Sequence, residues 1–221
     1  MLFRSELTFW PESKRLPLDE DLEWGFGLIG NYDRATHLCT LFLKDLCDFI
    51  NSTIDPHFEL IRYAESLCLR LPEFRPLQNE LQKPHTLIDT LMLDIFSQRM
   101  ALCKPDLVGF SVPFPGNLYS ALRCAQWIRQ NFSQVKIVMG GGYVNTELRS
   151  LTDPALFDFI DYLVFDDGEL PLLRIMDGGE LIRTLYRDDA GAIIRLNFDS
   201  KENIPFAESG TPSYEGLLQN N

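Results

Sequence analysis

Basic residues are few in this sequence, and long apolar runs are missing. The 221 residues contain 20 Lys and Arg against 32 Asp and Glu, so the formal net charge is −12. Proteins that bind nucleic acid carry a basic face, and this charge balance argues against that class. A membrane-spanning helix needs about 20 consecutive apolar residues, and no such run occurs. Hydrophobic residues still make up 45% of the chain, which is ordinary for a globular protein and excludes a disordered tail.

Metal-binding cysteine patterns and histidines are also scarce. The chain has five cysteines, which form neither a CxxC nor a CxxxCxxC motif, and three histidines. This spacing predicts buried free thiols in a reducing compartment rather than a zinc site. The first ten residues mix charged and apolar side chains, unlike a secretory signal. We therefore expect a cytoplasmic protein with no membrane partner.

The first 104 residues are predicted to form a mainly helical segment. Residues 34–50 repeat apolar side chains at spacings of three and four, which is typical of an amphipathic helix. A second helix is predicted over 55–71, where an aspartate suits the N-cap and proline the first turn. A third begins near Thr86 at a variant of the capping box. Alternating polar and apolar residues over 2–9 predict a short edge strand.

Beyond this segment, strands alternate with helices. Three buried strands are predicted from short apolar runs: 107–112, 135–139 and 162–165. Amphipathic helical stretches and short loops separate them, which favours a parallel sheet with right-handed crossovers over 105–180. Two further strands flank a turn in 181–198 and predict a β-hairpin. Residues 199–221 are assigned as a linker or tail.

A loop rich in glycine or polar residues follows each of the three strands. The loops are 111–117, 140–145 and 166–169. Because ligands in open parallel sheets bind beyond the carboxyl ends of the strands, we expect these loops to line one crevice. Glycine lets a backbone approach a ligand closely, and helix N-termini bind phosphate or amide groups. Taken alone, each loop is a weak signal: three glycines after a strand are more often a tight turn, Ser111 a strand-end hydroxyl, and Asp167 and Glu169 carboxylates that favour a helix N-terminus.

Taken together, the loops resemble a known family. Ser111-x-Pro113 precedes Gly140-Gly141 by roughly two dozen residues, which resembles the second half of the cobalamin-binding signature, Ser-x-Leu followed by Gly-Gly. The segments PDLVGFSVPFPGNLYSALRCAQWIRQ, VKIVMGGGYVNTELRSL and FDFIDYLVFDDGELPLL resemble the B12-binding domain that precedes the catalytic barrel in cobalamin-dependent radical SAM proteins. Near the C-terminus, PSYEGL resembles that family's segment before the barrel.

The resemblance implies an α/β, flavodoxin-like (Rossmann-like) parallel sheet with flanking helices, preceded by the helical segment and followed by the hairpin. Cobalamin would lie across the strand ends, held by residues of the three loops. These candidate cofactor-binding residues are Ser111, Pro113, Gly116, Asn117, Gly140, Gly141, Gly142, Tyr143, Val144, Asp167, Gly168 and Glu169. The family's Asp-x-His-x-x-Gly element is absent, so we expect cobalt without a protein histidine and assign no metal-ligating residue.

The resemblance also implies what lies outside this chain. The CxxxCxxC motif that would hold a [4Fe–4S] cluster is absent, so S-adenosylmethionine and the cluster are expected only in a C-terminal radical SAM barrel of a larger enzyme, for example a methyltransferase. This chain is then a cofactor-binding module with no catalysis of its own. Two early strands of such a sheet are not evident, and residues 2–9 or an upstream segment would supply them. Two alternatives stay open: a non-catalytic flavodoxin-like interaction domain with a degenerate ligand site, and a phosphate or nucleotide binder that uses Gly140 to Gly142.

Overall fold

The computed structural model describes residues 30–60, 74–208 and 210–211. Six α-helices lie in these ranges: α1 (Gly30–Thr53), α2 (Arg75–Leu81), α3 (Leu87–Cys103), α4 (Pro115–Asn131), α5 (Gly142–Thr146) and α6 (Glu169–Asp177). Five strands accompany them: β1 (Leu107–Ser111), β2 (Lys136–Gly140), β3 (Tyr162–Val164), β4 (Thr184–Arg187) and β5 (Ile193–Leu196). Short 3₁₀ helices occupy Pro154–Asp158 and Phe206–Glu208.

The five strands form one open mixed sheet in the order β1-β2-β3-β4-β5. β1, β2 and β3 are parallel, whereas β4 pairs antiparallel with β3 and β5 pairs antiparallel with β4. The predicted strands are therefore confirmed to within a residue or two at each end. The predicted hairpin is also present, and it extends the parallel sheet rather than standing apart from it. The architecture is α/β.

The apolar core forms between the sheet and α4. β2 is the most deeply buried strand, since Ile137, Val138 and Met139 are all buried. Strands buried on both faces read as continuous apolar runs, which is why this segment was recognisable in the sequence. α4 presents its predicted apolar side chains to the core, of which Leu118 and Ile128 are fully buried. The core thus fixes the two strands and the helix that bring the first two loops together.

α3 begins and ends as its sequence predicts. The Thr86 side chain accepts a hydrogen bond from the Asp89 amide at 3.1 Å, and the Asp89 carboxylate accepts one from the Thr86 amide at 3.3 Å. This reciprocal capping box satisfies two amides that a helix start otherwise leaves unpaired. Lys104 follows the helix in the left-handed conformation, with φ of 45°, and turns the chain into β1.

A buried polar cluster joins α2, α3 and α4, and no local pattern predicts it. Asp89, Tyr119 and Arg123 are at most 1% exposed. The Tyr119 hydroxyl donates to Asp89 Oδ2 at 2.9 Å and accepts from Arg123 at 2.8 Å. Burial raises the pKa of Tyr119 far above its usual range, so the hydroxyl stays protonated and can donate. Arg123 also donates to the backbone oxygens of Leu81 and Glu80 at the end of α2, at 2.7 and 3.3 Å.

Two expectations for the helical segment are corrected within the described residues. Residues 55–60 form turns rather than the start of a helix, because the Asp55 carboxylate accepts from the His57 amide at 2.9 Å and closes an Asx-type turn. Cys39 and Cys103 are exposed, not buried. Cys124 is buried as expected, and burial raises the pKa of its thiol to about 12. The predicted strand at 2–9 and helix at 61–71 lie outside the described residues.

Candidate functional site

The carboxyl ends of β1, β2 and β3 meet at one edge of the sheet, and the three predicted loops lie there side by side. Ser111 and Gly140 are direct partners in the β1–β2 register. The next pairing, Met139 with Leu163, brings β3 alongside. The first and second loops continue this pairing, because the Val112 amide donates to Gly140 O at 2.7 Å. The expectation that all three loops share one edge is therefore confirmed by the strand directions.

The glycines of the second loop allow close packing between neighbouring loops. Gly141 has φ of 110° and ψ of 179°, a conformation open essentially to glycine alone. A Cβ on Gly141 would lie 2.8 Å from the Val112 backbone nitrogen and oxygen. A Cβ on Gly142 would approach Pro113 O at 3.2 Å, and one on Gly140 would approach the Val164 side chain at 2.9 Å. Gly141 is thus required by its backbone conformation and its contact with Val112, whereas Gly140 and Gly142 fit tightly against their neighbours within the chain.

A backbone amide in the first turn of α5 has its hydrogen-bond partner in the first loop. The Tyr143 amide donates to Val112 O at 3.0 Å, so this amide already has a partner within the protein. The side chains of Tyr143 and Val144 are 5% and 0% exposed and belong to the apolar core. Both residues were candidates for lining the crevice, and the structure instead places their side chains beneath it. Gly116 is likewise buried in the first turn of α4.

The remaining candidates form the open surface of this edge. Their exposed members come from all three loops: Ser111, Pro113, Asn117, Gly142, Asp167 and Glu169. Ser111 and Asn117 offer hydrogen-bond donors on the β1 side, whereas Asp167 and Glu169 place carboxylates on the β3 side. Gly168 is the N-cap of α6, and the negative charge of Glu169 in the first turn interacts favourably with the helix dipole. The edge is therefore polar, with donors and carboxylates on opposite sides.

Asn145 and Arg149 fix the third loop against the second. The Asp166 amide donates to Asn145 Oδ1 at 2.7 Å, and Arg149 pairs with the Asp166 carboxylate. The Arg149 guanidinium also lies over the Phe165 ring, 5.3 Å from its centroid. Asp166 adopts φ of 61°, which these contacts hold in place. Asn145 was predicted to lie in the second loop, but no sequence signal identified Arg149 as its partner in this contact.

Arg183 and the segment after β5 close the β3 side of the edge. Arg183 is 2% exposed and donates to Asp167 O at 3.1 Å. Beside it lies a polar groove of about 590 Å³, lined by Arg174, Glu180, Ile182, Arg195, Asn197, Phe198, Asp199, Ser200 and Glu202. Residues 199–221 were predicted to be a linker or tail. Arg183 was not predicted as a residue of this site, because a single arginine forms no motif.

No group of three or more His, Cys, Asp and Glu residues that could hold a metal ion occurs in the described ranges. Within the same part of the chain, no helix is long and apolar enough to cross a membrane. In comparisons with known proteins, no family model, no curated protein and no solved structure matches this chain.

Proposed function

We propose that this chain is the cobalamin-binding module of a B12-dependent radical SAM enzyme and has no catalytic activity alone. The observation that carries the proposal is the register of β1 and β2. Ser111 and Gly140, the two parts of the signature-like pattern, are separated along the chain but are direct partners at the carboxyl end of the sheet. Ligands of open α/β sheets bind at this edge. The two parts of the pattern therefore lie next to each other in the fold, which supports the proposal.

The donor set of the edge suits a neutral or weakly charged organic ligand. Ser111 and Asn117 would donate to amide or phosphate oxygens, and the exposed Gly142 leaves room for a flat ring system to approach the backbone. None of the three loops contains a histidine, so cobalt would have no histidine ligand from them. When bound in such enzymes, cobalamin supplies a cobalt centre that carries a methyl group. The chain would bind and orient the cofactor and present it to the barrel.

The fold in this proposal is flavodoxin-like. The parallel order β1-β2-β3 and the crossover through α4 support it. In the described residues β1 is an edge strand, whereas a complete flavodoxin-like sheet has further strands beside it. S-adenosylmethionine, the [4Fe–4S] cluster and the barrel belong to the proposed parent enzyme.

Titration with hydroxocobalamin tests the proposal directly. The purified chain should change the visible spectrum of hydroxocobalamin and retain about one equivalent through gel filtration. Ser111→Trp should block the crevice and weaken binding, because Ser111 is exposed at the carboxyl end of β1. Ser133→Trp is the matched control, since Ser133 is also exposed but lies before β2, at the opposite edge. An unchanged spectrum with no retained cobalamin would refute the proposed function for this chain.

An interaction domain is the second candidate, and the outer face of α3 favours it. Four apolar side chains on this helix are more than half exposed: Leu87, Leu91, Ile95 and Leu102. Contiguous exposed apolar surface of this kind is typical of protein contact sites. This candidate predicts no cobalamin binding, together with self-association that Ile95→Lys abolishes in sedimentation velocity. Cobalamin binding by a monomer would exclude it.

A further inference from the structure

The segment after β5 crosses the carboxyl edge of the sheet and contacts the third loop. It follows a turn in which the Ser200 amide donates to Asn197 O at 3.1 Å. Two residues hold it to loop 166–169: Arg183, which precedes β4, and Asn203, which lies in the segment itself. Residues 199–203 thus run next to the candidate cofactor loop.

Arg183 makes the main connection through backbone oxygens. One terminal nitrogen donates to Ser200 O at 3.1 Å and to Glu202 O at 2.6 Å. The other terminal nitrogen donates to Asp167 O at 3.1 Å. A planar guanidinium suits this arrangement because its donors have fixed relative directions, which a lysine ammonium lacks. Hydrogen bonds to main-chain oxygens hold the path of both segments, independently of their side chains.

Arg183 is also costly to place, which indicates that its position matters. It adopts φ of 44°, an uncommon conformation for a residue other than glycine. Its side chain is buried although it carries a charge, and buried charges require compensating partners. The three backbone oxygens supply that compensation for the two terminal nitrogens, whereas Nε is buried without a hydrogen-bond partner among the described residues. The left-handed backbone conformation and the buried charge both occur where β4 begins, directly beside the third loop.

Asn203 adds a second, side-chain connection. Its Nδ2 donates to Asp167 Oδ2 at 2.8 Å. Asp167 is therefore held at its backbone oxygen by Arg183 and at its carboxylate by a residue of the C-terminal segment. A ligand that contacts Asp167 would compete with or reinforce this second bond.

We propose that Arg183 and Asn203 form a latch that makes loop 166–169 and segment 199–203 one cooperative unit. Binding at the carboxyl edge then alters the docking of the C-terminal segment, and docking alters affinity by the same factor, as linkage requires. The latch rests on the proposed function only in naming cobalamin as the ligand that it senses. In the proposed parent enzyme, the segment that carries the signal is the one that leads towards the barrel.

The first test needs no ligand. Hydrogen exchange of the full chain is measured by mass spectrometry on peptides that cover 165–172 and 197–208. Asn203→Ala lies on the exposed segment and should not unfold the protein, yet it should speed exchange in loop 166–169 by about two- to tenfold, the range expected for one lost hydrogen bond. Arg183→Lys should accelerate both peptides. Asn203→Ala with no change in the loop peptide overturns the latch.

Arg187→Lys is the matched control for Arg183→Lys. Arg187 ends the same strand β4 and also donates to backbone oxygens, those of Pro154 and Phe157 at 3.3 Å each. It lies at the opposite edge of the sheet, so its replacement should leave both peptides unchanged. Equal acceleration by both lysine variants would indicate general loosening of β4 and would overturn the latch.

The second test adds hydroxocobalamin. Binding should slow exchange in 199–203, and Asn203→Ala should weaken affinity by about two- to tenfold without lowering the melting temperature. Cobalamin that binds while exchange in 199–203 stays unchanged overturns the latch and leaves the proposed function standing. Absence of cobalamin binding refutes the proposed function, and the ligand-free exchange of the two peptides then decides the latch by itself.

Discussion

Replacing Arg123 with methionine should destabilise the protein more than any other single exchange that keeps side-chain volume in α4. Methionine fills much of the arginine's space but removes its charge and donors. Asp89, which is fully buried, would then have no cation beside it, since Arg123 Nε lies 3.1 Å from Asp89 Oδ2. Removing one partner of a buried ion pair costs about 3–5 kcal/mol. The Leu81 backbone oxygen would also lose its bond to Arg123.

A double-mutant cycle isolates the charge pair from this loss of packing. Asp89→Asn keeps the shape of the side chain and its oxygen at the α3 capping box, and should cost about 1–3 kcal/mol. Arg123→Met combined with Asp89→Asn leaves no buried charge in the pair. The double variant should therefore be more stable than the sum of the single effects predicts, by about 1–3 kcal/mol.

Urea unfolding followed by far-ultraviolet circular dichroism measures all four proteins. Arg99→Met serves as the control, because Arg99 lies on the same helix as Asp89 but is exposed, and it should change stability by less than about 0.5 kcal/mol. An Arg123→Met cost below about 1 kcal/mol, or strict additivity in the cycle, would show that the pair contributes little and would refute this account of the cluster.

Two further predictions concern the glycine loop and the acid side of the pH range. Gly141→Ala should cost at least about 2 kcal/mol in urea unfolding, because it adds backbone strain and a clash with Val112; Gly109→Ala, where a Cβ meets nothing within 4 Å, should change stability little, and equal effects would contradict the packing argument. For Glu80, burial raises the pKa, but hydrogen bonds from Lys83 and His57 outweigh it and lower the pKa below 4.5. Ionised Glu80 therefore stabilises the fold above pH 4.5, and this stabilisation is lost as pH falls through the folded-state pKa. Over that pH window the urea midpoint of Glu80→Gln should change less steeply with pH than that of the wild type, and equal slopes in the two proteins would contradict this prediction.

Much of the edge could be predicted because its signals are local. Each of the three parallel strands is a continuous apolar run bounded by helix breakers, and a capping box marks the start of α3. Once strands alternate with helices, parallel pairing places their following loops at one edge. The role of Gly141 was predicted only in part. The sequence indicates a loop wall without side chains, but it does not show that the Val112 backbone, 29 positions earlier in the chain, leaves no space for a Cβ at Gly141.

The residues that sequence analysis missed act between elements that are distant along the chain. Arg123 lies four residues after Tyr119 on α4, and the predicted apolar side of that helix excludes both. The apolar spacing on α4 predicts one buried side and gives no sign that α2 and α3 pack against another part of the helix. Arg183 was missed for the same reason, since its partners lie 16 to 19 positions away on either side. A periodic apolar pattern predicts that one side of a helix is buried, and it does not predict a second packing partner on another side.

The packing of the glycine loop narrows how the carboxyl edge can hold a cofactor. The space beside Gly140 and Gly141 is taken by Val164 and Val112, so a ligand must rest on the outer surface of the loops rather than between them. On the β3 side, the Arg183 guanidinium lies 3.1 Å from Asp167 O and offsets part of the negative charge of Asp167 and Glu169. A ligand that extends over this side of the outer surface would contact Asp167, the residue that Arg183 and Asn203 both hold.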